Sequence, residues 1–351
     1  LKWAITLSGN ENKISDFAFD SNKNIYVTGF FQNIVDFDSS QDTAALVASG
    51  SLAKEIFLAK YDSLGNFLWV KQMGSTGNDE GRKIHFVNNK IYLAGVFEGT
   101  VDFNPGSGTN NLTVTGTKGF LAAFDINGNY LFAHSFVGEF NTITSGNGGQ
   151  IYLSGSYTSS APPDFDFGTA TVNPTASSLA TGFLAKYDSL LNYQWAVLTG
   201  SNSKCIVDSS GSIYLSGKTT IQNTRYYSSN ATYTSIPIVA SNLYHYCLAK
   251  YDPNGILTWV KSAHYAVGDI GSDFALDRSS NIYISGSLSD TVDFDLNAGS
   301  KIMIPFSVTN ADAFLASYTA SGDFNWVKTN PTFGIESFGL LSNYQDKLNI
   351  M

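Results

Sequence analysis

Hydrophobic residues recur along the chain in short runs separated by polar turns, and three such runs repeat in the same order. One run reads NIYVTG at 24–29 and a second reads FLAKYDSLGN at 57–66. The third is centred on an aromatic residue, and its copies are spaced 66, 63, 63, 64 and 67 residues apart: Trp3, Trp69, Phe132, Trp195, Trp259 and Trp326. Short apolar runs bounded by turn residues predict strands, so the repeated unit is a β-structure.

Each unit predicts four strands, which in the first copy are A at 16–20, B at 25–31, C at 56–62 and D at 67–73. Turn residues between A and B (DSNKN) and between C and D (DSLGN) are typical of hairpins. Strands B and C are apolar on both faces, which indicates a sheet covered on both sides. A radial stack of such sheets is a β-propeller; a two-sheet sandwich is the alternative, but it suits five copies of a four-stranded unit poorly. We therefore predict an all-β propeller of four-stranded antiparallel blades.

The repeats also predict the organisation of the chain as a single propeller domain over 1–351. Its parts are a closing strand D, five complete blades and the start of a sixth, with the bounds 1–13, 14–80, 81–141, 142–203, 204–269, 270–337 and 338–351. A lone strand D at one end completes the last blade and leaves the ring without free edges. Because the sequence stops inside a strand, we expect a ring of six or seven blades that continues beyond the residues given.

Composition supports the strand-and-turn prediction and excludes several classes of protein. Only 14% of residues are charged, against about 25% in an ordinary domain, and Asp far outnumbers Glu among the 29 acidic residues. Asp favours turns, whereas Glu favours helices, so a helical bundle or βαβ enzyme core is excluded. A net charge of −9 with three Arg argues against nucleic-acid and anionic membrane surfaces. No apolar run approaches the roughly 18 residues that span a bilayer, so we expect no direct membrane insertion.

Three phrases recur in order within the units. They read NIYVTGFF, NIVDFD and EIFLAKYDSLGNFLWVKQMG in the first unit, and NIYISGSL, TVDFD and AFLASYTASGDFNWVK in the fifth. They resemble the bacterial seven-bladed β-propeller repeat family, although unit four has NTRYYSSN at 223–230 in place of the acidic phrase. The resemblance implies an extracellular or cell-surface protein, or one at the periplasmic side of the outer membrane. It also implies export by the type IX secretion route, and it brings no catalytic residues.

The acidic phrase after strand B is a candidate calcium site. Its carboxylates alternate on an extended chain at Asp36, Asp38, Asp102, Asp293 and Asp295. Two oxygens on one face could bind Ca²⁺ together with backbone carbonyls, but Ca²⁺ takes six to eight ligands. We therefore favour the alternative, in which the Phe between the carboxylates is buried and the Asp caps the next turn. Calcium is the one cofactor that the sequence suggests.

The tyrosine-rich stretch of unit four is a candidate binding site. It contains Arg225, Tyr226, Tyr227, Tyr233 and Tyr244, and Tyr and Arg dominate protein interfaces. The alternative is that these tyrosines only cover the flank of the blade. The B–C connections are also long and differ in every unit, and variable loops on a rigid scaffold are where binding usually occurs. We expect a protein partner, with an outer-membrane protein among the candidates, at the rim that carries the B–C and D–A loops.

No catalytic arrangement is recognisable in the chain. There is no GxSxG, HExxH or phosphate-binding loop, and the four His show no metal-ligand spacing. Cys205 and Cys247 align with core aromatics on strands A and C, so we expect buried free thiols rather than a disulfide. The predicted function is a non-catalytic scaffold for protein–protein interaction; a glycan-binding module and a propeller glycosidase or lyase are the alternatives.

Overall fold

The computed structural model describes most of the chain. The described residues are 4, 6–7, 12–40, 42–50, 52–157, 163–174, 180–200, 204–219, 224–236, 244–265, 273–297, 299–306, 311–330, 341–344 and 347–350. The predicted closing strand at 1–13, with Trp3, lies largely outside this part. Within it there are strands and turns but no helix, and hence no helix that could cross a membrane.

The strands follow the repeats. The first repeat contains β1 (Lys13–Phe19), β2 (Ile25–Phe31), β3 (Ile34–Asp36), β4 (Ala45–Val47), β5 (Glu55–Tyr61) and β6 (Phe67–Met73). The second contains β7 (Glu80–Val87), β8 (Lys90–Phe97), β9 (Thr100–Asp102), β10 (Asn111–Thr113), β11 (Lys118–Asp125) and β12 (Tyr130–Phe136). The third contains β13 (Glu139–Ser145), β14 (Ile151–Ser156), β15 (Gly182–Tyr187) and β16 (Tyr193–Thr199).

The remaining repeats continue the series. The fourth contains β17 (Lys204–Val207), β18 (Ile213–Thr219), β19 (Arg225–Tyr227), β20 (Tyr233–Ser235), β21 (Tyr244–Tyr251) and β22 (Leu257–Tyr265). The fifth contains β23 (Asp273–Leu276), β24 (Ile282–Leu288), β25 (Val292–Asp293), β26 (Ile302–Met303), β27 (Asp312–Tyr318) and β28 (Phe324–Asn330). The hairpin β29 (Leu341–Tyr344) and β30 (Lys347–Ile350) follows, where a sixth unit was predicted to begin.

The described residues form five four-stranded sheets, one for each repeat. Their strand orders are β1-β2-β5-β6, β12-β11-β8-β7, β13-β14-β15-β16, β17-β18-β21-β22 and β23-β24-β27-β28. These are the predicted strands A to D in sequence order, so the four-stranded antiparallel unit is confirmed. The bounds of β2 and β6 coincide with those predicted, whereas β13 begins at Glu139, three residues before the predicted start of its blade at 142.

The sequence analysis missed one element in the B–C connections. In repeats one, two, four and five this connection contains a short antiparallel ribbon: β3 with β4, β9 with β10, β19 with β20, and β25 with β26. Strands of two or three residues have too little periodicity to be recognised in the sequence. Repeat four keeps its ribbon although its sequence departs from the acidic phrase.

The chain divides into two compact units. The first is 1–153, 157–173 and 188–193, and the second is 154–156, 174–187 and 194–351. In the first unit, one core lies between the sheets of repeats one and two, and Leu58 and Phe120 are buried in it. In the second unit, the sheets of repeats four and five enclose a core that contains Leu248 and Phe314. Each core has apolar side chains from both sheets, which explains why the central strands are apolar on both faces.

The repeated phrases encode a contact between neighbouring blades. In repeat one, Tyr26, Lys60 and Trp69 are cross-strand neighbours on strands B, C and D. The Lys60 ammonium lies 4.9 Å from the centroid of the Tyr26 ring and donates to the carbonyl of Ile126, in the C–D turn of repeat two, at 3.1 Å. A Cβ on Gly128 of that turn would lie 3.1 Å from the Trp69 ring. We call this set, Lys and Trp on one blade and Gly in the next C–D turn, the blade latch.

Among its described residues, the second unit contains the blade latch twice. Lys186 donates to the carbonyl of Pro253 at 2.8 Å, and a Cβ on Gly255 would lie 2.8 Å from Trp195. Lys250 donates to the carbonyl of Ala320 at 3.4 Å, and a Cβ on Gly322 would lie 3.1 Å from the Trp259 ring. The glycines have positive φ angles, so both their conformation and the approach of the indole exclude larger side chains.

Aspartates close the tight turns. Asp62 accepts hydrogen bonds from the backbone of Leu64 and Asn66 at 2.8 and 2.9 Å, and its other oxygen accepts the Asn66 amide. Asp125 and Asp188 make the same bonds in the C–D turns of repeats two and three. The short Asp side chain suits these Asx turns, which accounts for the excess of Asp over Glu in the chain.

Candidate functional site

The B–C ribbons of repeats one, two, four and five lie in the connections whose sequences differ most between repeats. In repeat one, Phe37 follows the ribbon and is buried against Phe57, with ring centroids 4.8 Å apart. The Tyr61 hydroxyl donates to the Phe37 carbonyl at 2.9 Å. These contacts hold the ribbon over one face of the sheet, while Ile34 and Val47 on it are exposed.

The acidic phrases close these ribbons. Asp36 Oδ1 accepts the backbone N–H of Asp38 at 3.1 Å and that of Ala44 at 2.9 Å. Asp102 and Asp293 each accept backbone N–H groups two and eight residues further on in the same way. The two candidates that follow, Asp38 and Asp295, accept the backbone N–H of Ser40 and Asn297.

In these acidic phrases the Phe is therefore buried and the Asp caps a turn, which is the alternative to calcium binding that the sequence favoured. No group of three or more His, Cys, Asp and Glu in the described part of the chain is arranged to hold a metal ion. Within these phrases, the oxygens that were calcium candidates accept backbone N–H bonds.

Repeat four replaces the capped ribbon with a cationic and aromatic cluster. By register, Arg225, Tyr227 and Tyr233 take the places of Thr100, Asp102 and Asn111 of repeat two. The Arg225 guanidinium carbon lies 4.3 Å from the centroid of the Tyr233 ring, and the Tyr227 and Tyr233 rings are 5.3 Å apart. Arg225 Nη1 donates to the Tyr227 hydroxyl at 3.4 Å. We call these three side chains the ribbon cluster; Tyr233 is half exposed, so the cluster reaches solvent.

Two other predicted binding residues do not join the ribbon cluster. Tyr226 was predicted to be a binding residue, but its side chain is only 2% exposed, and burial raises its pKa well above the usual value. The physical reason is strand alternation, because Tyr226 lies between Arg225 and Tyr227 and points to the opposite face of the ribbon. Tyr244 begins β21, and its side chain lies outside the described residues.

The B–C ribbons also meet the C–D turns, although the sequence analysis grouped the B–C loops with the D–A loops at one rim. In repeat four, the Ser229 backbone N–H donates to the Gly255 carbonyl at 2.9 Å, and the Ser229 hydroxyl donates to the Asn254 carbonyl at 2.7 Å. In repeat five, the Asn297 amide donates to Asp323 at 3.3 Å. The ribbons therefore run along the sheet from one end of the blade toward the other.

The two cysteines are buried free thiols, as predicted. Cys205 is on β17 and Cys247 on β21, and β18 separates them in the sheet. Burial raises the pKa of each thiol to about 12, so neither is a reactive thiolate at neutral pH.

A cleft in the first unit is a second candidate site, and the sequence analysis missed it. It lies where the D strand of repeat two meets loops of repeat three, and its volume is about 410 Å³, within the range of small-ligand pockets. Its lining comprises Phe132, His134, Asp166, Phe167, Gly168, Leu190, Leu191, Asn192 and Tyr193. The His134 and Phe167 rings are stacked, with centroids 5.2 Å apart and planes at 22°.

All three members of the blade latch are replaced between repeats two and three, and two of the replacements, Phe132 and Leu191, line the cleft. By register, Ala123 takes the place of Lys60 and Phe132 that of Trp69. In the C–D turn of repeat three, Leu191 takes the place of Gly128 and keeps its positive φ, +68°. The changes are visible in the sequence as FLAAFD, YLFAHS and DSLLN, but only the latch shows that the three positions belong together.

The electrostatics of the cleft differ from those of the blade latch. Among the described residues that line the cleft, Asp166 is the one carboxylate and there is no Lys or Arg. Burial lowers the pKa of His134, so its imidazole is neutral at pH 7. The Tyr92 hydroxyl, on the strand next to Ala123, is buried without a hydrogen-bond partner among the described residues. Burial, with a smaller contribution from the Asp188 carboxylate, raises the pKa of Tyr92 to about 12.

Comparison with known proteins supports a β-propeller fold for this chain. No protein-family model matches the chain. The chain is 25% identical over 355 residues to a protein of Acanthamoeba polyphaga mimivirus described as an uncharacterized WD repeat-containing protein, and the match covers 92% of this chain. The chain spans 22% of the length of that relative. With five sheets of four antiparallel strands in sequence order, the likeness to a WD-repeat protein identifies the fold as a β-propeller.

Proposed function

We propose that the chain is a non-catalytic propeller scaffold that binds a protein partner through its B–C ribbons, with the ribbon cluster of repeat four as the principal contact. The ribbon cluster carries the proposal because an Arg and two Tyr stand where repeat two has Thr, Asp and Asn. Arg and Tyr are the residues that most often dominate binding energy at interfaces. The rigid sheet beneath the ribbon limits the conformational entropy lost on binding.

The resemblance of the repeats to the bacterial seven-bladed family supports a position outside the cell. We propose a secreted or cell-surface protein that contributes its propeller to an outer-membrane or type IX secretion-linked complex. The likeness to a WD-repeat protein supports the scaffold part of this proposal.

A photo-crosslinking residue at Tyr233 tests the partner contact in native material. The matched control carries it at Asn111, which occupies the same register position in the ribbon of repeat two. We expect one protein to be crosslinked from position 233 and not from 111. With that protein purified, Arg225→Ala and Tyr233→Ala should each weaken binding about tenfold or more, as interface hot spots do.

The control variants Thr100→Ala and Asn111→Ala should leave the partner affinity unchanged. Equal crosslinking from both ribbons, or equal affinity in all four variants, would overturn the ribbon cluster as the principal contact. Binding to a glycan array that Tyr233→Ala abolishes would instead support a glycan-binding module.

A further inference from the structure

The B–C connection of repeat four differs in charge from the other four. It runs from 220 to 243, between β18 and β21, and Arg225 is its one charged residue, which gives a net charge of +1. Each of the other B–C connections has a net charge of −2. Their charged residues are Asp36, Asp38, Asp42 and Lys54 in repeat one, Glu98 and Asp102 in repeat two, Asp164 and Asp166 in repeat three, and Asp290, Asp293, Asp295 and Lys301 in repeat five. In a chain with a net charge of −9, repeat four therefore has the connection that suits an anionic group.

The change of charge falls within the ribbon cluster. By register, Tyr227 takes the position of Asp102 and Arg225 takes that of Thr100. The ribbon of repeat four thus lacks the carboxylate that caps the ribbon of repeat two, and it has gained a cation two residues earlier. An anionic group that approaches this ribbon meets an arginine, and neither strand of the ribbon contains an acidic residue.

Arg225 has no anionic partner in the described part of the chain. No carboxylate there forms an ion pair with it, and its hydrogen bonding is limited to the bond from Nη1 to the Tyr227 hydroxyl at 3.4 Å. Its Nε is buried without an acceptor from those residues, which costs free energy. Arg82, by contrast, pairs with Glu80 at 3.0 Å and with Glu139 at 2.8 Å. The guanidinium of Arg225 thus retains donors that an outside acceptor could use.

We propose that the ribbon cluster binds the carboxylate of an Asp or Glu side chain of the partner protein, with the Arg225 guanidinium as the group that pairs with it. This assignment rests on the proposed function and names the chemistry that the partner brings to that site. Arginine suits the task because its planar guanidinium can donate two parallel hydrogen bonds to one carboxylate.

The ribbon cluster holds the guanidinium in place before a partner binds. Arg225 lies over the Tyr233 ring at 4.3 Å and is bonded to the Tyr227 hydroxyl. The ribbon itself is fixed below by the buried Tyr226 and at its turn by Ser229, whose backbone N–H donates to the C–D turn. An exposed ion pair contributes little when two mobile side chains must be ordered and water screens them. Here one side chain is already ordered, and a partner that covers Tyr233 also removes water from the pair.

Arginine labelling of the whole chain tests the assignment with defined probes. The chain has three Arg, so ¹⁵N-arginine gives three Nε–H signals, which Arg→Lys variants assign. The probes are two capped pentapeptides, Gly-Gly-Glu-Gly-Gly and its glutamine counterpart. We expect the glutamate peptide to shift the Arg225 signal saturably and the glutamine peptide to bind at least about threefold more weakly. The Arg82 signal is the internal control, because this guanidinium already pairs with two glutamates.

Three variants locate the binding. Tyr233→Ala should weaken binding of the glutamate peptide about threefold or more, because the guanidinium loses the ring that orders it. Asn111→Ala, at the same register position in repeat two, should leave the affinity unchanged. Saturation transfer from the protein to the peptide needs no signal from Arg225, and Arg225→Gln should abolish it. Unchanged signals of the other two Arg show that each variant is folded.

Several results would overturn the assignment. They are equal binding of the two peptides, no saturable shift of Arg225, and full peptide binding in Arg225→Gln. Tighter binding of methyl glucuronide than of the glutamate peptide would also overturn it, because the carboxylate would then belong to a glycan. Crosslinking from position 233 is a separate measurement. A crosslinked protein without selectivity for glutamate would refute the carboxylate and keep the scaffold, whereas selectivity without a crosslinked protein would refute the partner contact and keep the carboxylate site.

Discussion

Two neighbouring interfaces between blades use equivalent positions but differ in packing. The interface of repeats one and two is closed, whereas that of repeats two and three leaves a cleft. In the first, Lys60, Trp69 and Gly128 close the space between the blades. In the second, the equivalent positions are Ala, Phe and Leu, and a cleft of about 410 Å³ remains. The difference shows that the repeated phrases encode an interface between blades, and that one interface has been altered as a set.

The largest expected effect follows from removing the aromatic anchor. Trp69→Ala should lower the free energy of unfolding by about 2–3 kcal/mol, because the indole packs against Gly128 and Tyr26. Phe132→Ala should cost clearly less, since Phe132 borders an open cleft. Denaturant unfolding of both variants measures the difference, and equal losses would show that the two interfaces are equally packed.

A second pair of variants exchanges the turn residues. Gly128→Leu places a side chain at φ +76° and within 3.1 Å of Trp69, so we expect a loss of about 2 kcal/mol. Leu191→Gly relieves the backbone strain at φ +68° but raises the conformational entropy of the unfolded chain. The net change in the free energy of unfolding should therefore stay below about 1 kcal/mol. Thermal unfolding that ranks the two variants in the reverse order would contradict the role of the glycine.

The histidine at the cleft predicts a pH effect that the lysine-containing interfaces lack. Burial lowers the pKa of His134 in the folded state, while the unfolded value is near 6.5. The unfolded state therefore binds more protons below pH 6.5, and the stability that neutral His134 contributes is lost as the pH falls through that window. His134→Gln should flatten this part of the profile of unfolding free energy between pH 7 and 5; an unchanged slope would contradict the prediction.

Calcium should have the smallest effect. The candidate oxygens of Asp36 and Asp102 already accept two backbone N–H groups each, so millimolar Ca²⁺ should leave the melting temperature unchanged. The measurement is a thermal melt with Ca²⁺ and with a chelator. A rise with Ca²⁺ that Asp36→Asn removes would restore the calcium interpretation of the acidic phrases.

The sequence predicted the sheets well because their signal is repeated. The spacing of the aromatic anchors and the turn residues located β2 and β6 to the residue, and the alignment of Cys247 with Phe57, which is buried, predicted a buried thiol. Cys205 is buried as well, although Phe17, the residue with which it aligns, is exposed. The ribbons were missed because their strands are two or three residues long. Tyr226 was misplaced because alternation along a ribbon separates it from Arg225 and Tyr227, and that alternation cannot be assigned before the ribbon is recognised.

The cleft could not be predicted because its cause is spread over three distant positions. Ala123, Phe132 and Leu191 each look like a tolerated variation of a repeat. Only the contact of Lys60 and Trp69 with the next C–D turn shows that a change at one position alters what fits at the other two.

A pair of double-mutant cycles tests most directly whether these positions act as one latch. The forward cycle combines Trp69→Phe with Gly128→Leu, and the reverse cycle combines Phe132→Trp with Leu191→Gly, with unfolding free energies measured for all variants. We predict coupling of about 1 kcal/mol or more in both cycles, with each second change relieving the first, as expected for residues in contact. Additive free energies in both cycles would contradict the latch.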